Sequence, residues 1–136
     1  MPKNSAMVKM KYPIGIQNFE SLRQDGYVYV DKTDLIWKMV DEGRYYFLSR
    51  PRRFGKSLLL STLEAYLCGK KELFRGLAIE RLEKDWTPYL IFHLDLNIGE
   101  YTSRASLYDK LNAFLTPLEE ASGHGTGLTE AGQRFE

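Results

Sequence analysis

The 136-residue chain has one cysteine, Cys68, which excludes an intrachain disulfide framework and a cysteine cluster for structural zinc. It has two histidines, His93 and His124, far apart and without companion ligands, so they do not form a metal site. It has no excess of either charge: 19 Lys and Arg against 18 Asp and Glu give +1, which argues against a wholly basic nucleic-acid-binding domain and permits a local patch. No run approaches the roughly 18 apolar residues of a membrane span, and no apolar stretch follows the polar N-terminus as a secretory signal requires. A cytoplasmic location is the expectation. Repeats, low-complexity tracts, a GxSxG elbow and a zinc-protease helix are also absent. The aromatic residues are scattered without a stacking platform for single strands.

What is present suits one globular domain: 43% of residues are hydrophobic and 27% charged. Residues 1–11 read as a flexible tail before a domain over 12–136. Pro13 and Gly15 favour an extended, turning segment over 12–19, Asp25-Gly26 a turn, and Tyr27–Val30 a short strand. A helix begins near Asp31 or Thr33, either of which can cap it, and stops at Gly43 in the left-handed conformation. Tyr45–Leu48 suits a buried strand. A second helix over 57–67 packs through Leu59, Leu60, Leu63 and Leu67 and stops at Gly69. Short helices follow over 70–85, anchored by Leu73, Phe74, Leu77, Ile79 and Leu82, with Trp37 and Trp86 as packing residues. Residues 89–98 alternate as a strand with His93, Asp95 and Asn97 on one face. A helix over 103–116 ends or kinks at Pro117. A loop over 122–127 and a helix capped by Thr129 complete the chain, whose end within that helix reads as a fragment.

The strongest chemical signal is Gly55-Lys56-Ser57, between a strand expectation and a helix expectation, where a phosphate loop belongs. A turn there exposes backbone N–H groups, and the following helix adds its own unsatisfied N–H groups and positive dipole end. Gly55 permits close approach of phosphate, Lys56 reaches the β- and γ-phosphates, and Ser57 offers a hydroxyl to Mg²⁺. Five basic residues and no acidic one lie between Gly43 and Leu63. Against the generic pattern, Arg50 occupies the place of the first glycine, and Pro51 restricts the loop. Competing readings are a helix start capped by Ser57 beside a solvated basic turn, and a basic loop binding nucleic acid or another polyanion. Arg50, Arg52 and Arg53 suit forked phosphate contacts or loop anchoring. For a metal-holding carboxylate, Asp95 at the end of Leu90–Leu94 is the internal candidate, and local hydrogen bonding is its competing role. Leu118-Glu119-Glu120 follows Pro117 with no strand before it and is rejected.

Tyr12-Pro13-Ile14-Gly15-Ile16-Gln17-Asn18-Phe19, Tyr29-Val30-Asp31-Lys32-Thr33, Tyr46 to Ser57, Leu58 to Leu63 and His93-Leu94-Asp95-Leu96 together resemble the AAA-ATPase-like domain of bacterial proteins. The run Ser49-Arg50-Pro51-Arg52-Arg53-Phe54-Gly55-Lys56-Ser57 is the most specific part, and Arg50 is how that family's loop looks. The resemblance implies an α/β fold, a P-loop NTPase-like parallel sheet with flanking helices, of which this chain is an incomplete N-terminal portion. It implies ATP and Mg²⁺ as cofactors. Lys56 is then the catalytic residue, and Arg53, Phe54, Gly55, Lys56, Ser57 and Leu58 hold the nucleotide. Ser57, with Asp95 as a weaker candidate, holds the metal. The resemblance also makes Asp31-Lys32-Thr33 a characteristic upstream segment, expected near the nucleotide and with no exact role attached. The family's Asp-Glu strand and a nuclease-like domain similar to PD-(D/E)XK enzymes are expected downstream, the latter a route to nucleic acid. The expected function is Mg-dependent ATP hydrolysis in the full-length protein; the alternative is a basic loop that binds nucleic acid or a protein partner without turnover.

Overall fold

The computed structural model describes residues 10–97 and 103–123. The expectations for residues 1–9, for Ile98, for His124 and the loop around it, and for the helix at Thr129 lie outside the described residues. Contacts divide the chain into two units, with the boundary after Tyr89.

The first unit contains four helices and a short 3₁₀ turn. Helix α1 spans Phe19–Gln24, where Asn18 caps the start by accepting a hydrogen bond from the Ser21 N–H at 3.0 Å. The extended reading of 12–19 gave no sign of this helix. Helix α2 spans Thr33–Glu42 as expected, but Gly43 ends it with extended backbone, φ −145°, not the left-handed stop. Helix α3 spans Lys56–Leu67. Its C-terminus closes as the spacing predicts: Gly69 is left-handed at φ 72°, its N–H bonds the Tyr66 carbonyl, and the Lys70 N–H bonds that of Ala65. A 3₁₀ turn at Lys71–Phe74 and helix α4 at Ile79–Leu82 follow.

The core of this unit is aromatic at its centre. Phe19 and Phe74 are fully buried with ring centroids 4.8 Å apart, and Trp86 lies 5.3 Å from Phe74 and 5.7 Å from Tyr66. Ile36, Leu73, Leu77 and Ile79 complete it. Helix α3 buries Thr62, Ala65 and Tyr66, while Leu58, Leu59, Leu63 and Leu67 pack only partly and Leu60 is exposed. The leucine stripe is therefore not the principal buried face of α3. Polar ties reinforce the packing of α1: Ser61 Oγ accepts the Phe19 N–H at 3.0 Å, Arg23 Nε donates to the Leu73 carbonyl at 2.8 Å, and Lys70 pairs with Glu20 at 2.6 Å.

The second unit contains the segment from Leu90 and helix α5, Arg104–Ser122. Ser103 caps α5 through the Ser106 N–H. Pro117 lies inside this helix rather than at its end. A proline removes one N–H, but the bonds on either side still propagate the helix. Along α5, Leu115 is buried and Leu107 is exposed.

The expected parallel sheet is not formed among the described residues, which are mostly helical and contain no strand. Residues 27–30, 45–48 and 89–97 carry the strand-like composition without a ladder, and the one β-pairing among the described residues is an isolated parallel bridge between Lys11 and Tyr27. Tyr45 and Phe47 are each 94% exposed, so the Tyr45–Leu48 run is not a buried strand. The reason is that a helix satisfies its backbone within one segment, whereas a strand requires a partner that its own composition does not specify. No helix among the described residues is long and apolar enough to cross a membrane.

Candidate phosphate-loop site

The segment from Tyr45, which has no regular secondary structure, leads into the loop at Arg50–Gly55. Two residues there take left-handed backbone: Arg53 at φ 65° and Gly55 at φ 78°. At Arg53 this conformation carries the strain of a β-carbon. At Gly55 it is free, and nothing lies within 4 Å of where a β-carbon would sit, so one face of the loop is open.

Gly55 is also the N-cap of α3, and no side chain caps that helix. The N–H groups of Lys56, Ser57 and Leu58 occupy the first turn, where no earlier turn supplies a carbonyl. Ser57 is exposed and does not serve as the cap, which removes the reading that this is an ordinary serine-capped helix start. Its hydroxyl is available to a metal ion. Lys56 is half-buried and its ammonium donates to the Arg50 carbonyl at 2.5 Å and the Pro51 carbonyl at 2.9 Å. Two of its three N–H donors thus brace the loop and the third remains for an anion. Arg50, Arg52 and Arg53 are exposed, and among the described residues none of them pairs with a carboxylate. Four cations in seven residues with no counter-charge make a local field that a polyanion relieves.

Beside the loop lies a cavity of about 510 Å³, a size suited to a nucleotide. Phe54 and Gly55 form part of its wall, with Tyr29 and Leu48 among its apolar lining. Of the expected nucleotide-binding residues, Phe54, Gly55 and Leu58 line this cavity, while Arg53, Lys56 and Ser57 belong to the adjoining loop and helix start. Asp95 lies in the other unit, where its Oδ1 accepts the Asn97 N–H at 2.9 Å. The described residues hold no group of three or more His, Cys, Asp or Glu side chains able to bind a metal by themselves. A cation here would rest on Ser57 and on ligand phosphates, which fits the preference of Mg²⁺ for few protein ligands.

The Asp31-Lys32-Thr33 segment has a structural function that the sequence pattern did not disclose. Asp31 Oδ1 accepts the Thr33 N–H at 2.9 Å and the Thr33 hydroxyl at 2.6 Å, and Asp31 Oδ2 accepts the Ala78 N–H at 2.7 Å. Thr33, fully buried, accepts the Ile79 N–H at 3.1 Å. This fastens the start of α2 to the start of α4. Partial burial pushes the Asp31 carboxyl up, but the bonds from Thr33 and Ala78 outweigh it and hold the group below its ordinary value. The only local signal was the Asp-x-Thr spacing of a side-chain-to-backbone turn.

A family model described as "Predicted AAA-ATPase" matches residues 13–132. A relative described as "Uncharacterized protein in vnfD 5'region", from Azotobacter chroococcum mcd 1, is 40% identical over 131 residues, which cover 95% of this chain and 25% of that protein. The chain therefore spans about a quarter of that relative's length. No solved structure matches.

Proposed function

Since the chain belongs to the predicted AAA-ATPase family, we propose that it binds ATP with Mg²⁺ through the loop and helix start at residues 53–58 and that the full-length protein hydrolyses it in the cytoplasm. The observation that carries this is the uncapped start of α3 at a left-handed, unobstructed Gly55, with the Lys56 ammonium braced beside it. The first-turn N–H groups take phosphate oxygens, and Lys56 gives its remaining donor to the β- and γ-phosphates as the catalytic residue. Ser57 presents its hydroxyl to Mg²⁺, which when bound neutralises phosphate charge. Asp95, the carboxylate that the sequence offers, belongs to the other unit, where it accepts the Asn97 N–H, and we propose no part for it in this site. Titration calorimetry with Mg-ATP on the full-length protein tests the reading. Lys56→Ala should weaken binding by ~100-fold or more, as loss of a charge-assisted contact that also braces the loop implies. Equal affinities would overturn it.

A second reading is favoured by the exposed Arg50, Arg52 and Arg53: binding of nucleic acid or a protein partner without turnover. For nucleic acid, its mark is steeply salt-dependent binding that needs no nucleotide and is lost on neutralising the three arginines.

A further inference from the structure

The cavity beside the loop has a wall with two cations, Lys32 and Arg50, and no carboxylate. The rest of its lining is chiefly apolar, including Tyr29, Phe54 and Leu59. Such a wall suits a ligand with an apolar body and negative charge. Lys32 stands out within it. Its neighbours Asp31 and Thr33 are both bonded to the backbone of residues 78 and 79, so the chain at Lys32 is fixed on either side. Its own side chain is exposed, and among the described residues its ammonium has no hydrogen bond or ion pair. By contrast, the Lys56 ammonium is already committed to two loop carbonyls. The fold thus holds a second ammonium, unspent, on a rigid support in the wall that it shares with Gly55.

We propose that Lys32 is a nucleotide-binding residue whose ammonium contacts the polyphosphate from the cavity side, opposite the contribution of the loop. This rests on the ATP reading above. An ammonium is a donor without acceptor capacity, so among the parts of a nucleotide it pairs best with phosphate oxygen. The Asp31–Thr33 bonds then have a second consequence. They limit the entropy lost when Lys32 engages its ligand, because the backbone beneath it is already ordered.

The test measures Mg-ATP affinity at two salt concentrations for the full-length wild type, Lys32→Ala, Lys32→Arg and Lys56→Ala, with melting temperatures for each. Lys32→Ala should bind about tenfold more weakly, with a shallower salt dependence and an unchanged melting temperature. Lys32→Arg, which keeps the charge, should stay within about threefold of wild type. Wild-type affinity in Lys32→Ala, alongside loss in Lys56→Ala, overturns the Lys32 assignment and leaves the ATP reading standing. A loss in Lys32→Ala that comes with a lower melting temperature and is not recovered in Lys32→Arg also overturns it. A wild-type protein that binds no ATP overturns both.

Discussion

Two helix starts in the first unit meet the same physical problem in opposite ways. At α2 the preceding Asp31 turns back on the Thr33 N–H, and both side chains reach across to the first backbone groups of α4. Every polar atom named there has a partner from the chain itself. At α3 the cap is a glycine, no side chain caps the first turn, and among the described residues the adjacent arginines have no carboxylate partner. A helix start closed by its own chain is architecture. One left open, beside concentrated positive charge and a cavity, carries binding capacity that the fold itself does not consume.

The contrast predicts that substitutions at α2 change stability and substitutions at α3 change binding. The largest effect on stability should come from Thr33→Val. It keeps the buried shape but leaves the Ile79 N–H and one Asp31 contact unmet, at a cost of about 2–3 kcal/mol for one buried and one partly buried bond, read by urea unfolding. A value near zero would mean that the α2–α4 tie is not a structural joint. An intermediate effect concerns pH. The Asp31 carboxyl titrates below its ordinary 3.8 in the folded protein, so the unfolded chain takes up the proton first as pH falls. Its contribution is present above that ordinary value and is lost as pH drops through the lower folded value. The urea midpoint should therefore fall more between pH 6 and pH 3 in wild type than in Asp31→Asn. Part of the fall should persist, because the Tyr66 hydroxyl bond likewise holds Glu83 low despite its partial burial. Equal falls in the two proteins would remove Asp31 from the joint. The smallest stability effect should be that of Ser57→Ala, within about 0.5 kcal/mol for an exposed residue with no capping role. In the same variant the Mg²⁺ dependence of ATP binding should be lost. Clear destabilisation with unchanged Mg²⁺ dependence would reverse the assignment of the two helix starts.

Much of this was legible in the residues. Helix α2 follows from apolar period, helix α3 was legible in its existence but not in the face it buries, and the closure at Gly69 follows from its position just past the last helical turn. These are features a segment settles through bonds to itself. The six-residue α1 was hidden because Pro13 and Gly15 dominate the stretch before it, although Asn18 followed by Ser21 was a usable capping signal. Tyr45–Leu48 misled for the opposite reason. Its apolar, β-favouring residues describe a run suited to burial, and nothing local decides whether a partner pairs with it. The ending expected at Pro117 does not occur: α5 continues through it to Ser122, from a start that Ser103 caps. At the site, the loop was evident from Gly55-Lys56-Ser57 and the surrounding arginines. The resemblance set Asp31-Lys32-Thr33 near the nucleotide, but the place of Lys32 itself was not legible, because its relation to that loop depends on where α2 lies.

The sequence by itself determined the concentration of positive charge ahead of α3, the glycine that leaves its first turn uncapped, and the helix that follows. These depend on neighbours within a few residues and on backbone preferences that hold in any surroundings. Tertiary structure alone decided that Asp31 and Thr33 are spent on the α4 backbone, that Lys32 enters the cavity wall beside Gly55, and that the strand-like runs remain without a ladder among the described residues. Each of these requires a partner distant in the chain, and the free energy of such a contact depends on what packing brings within reach.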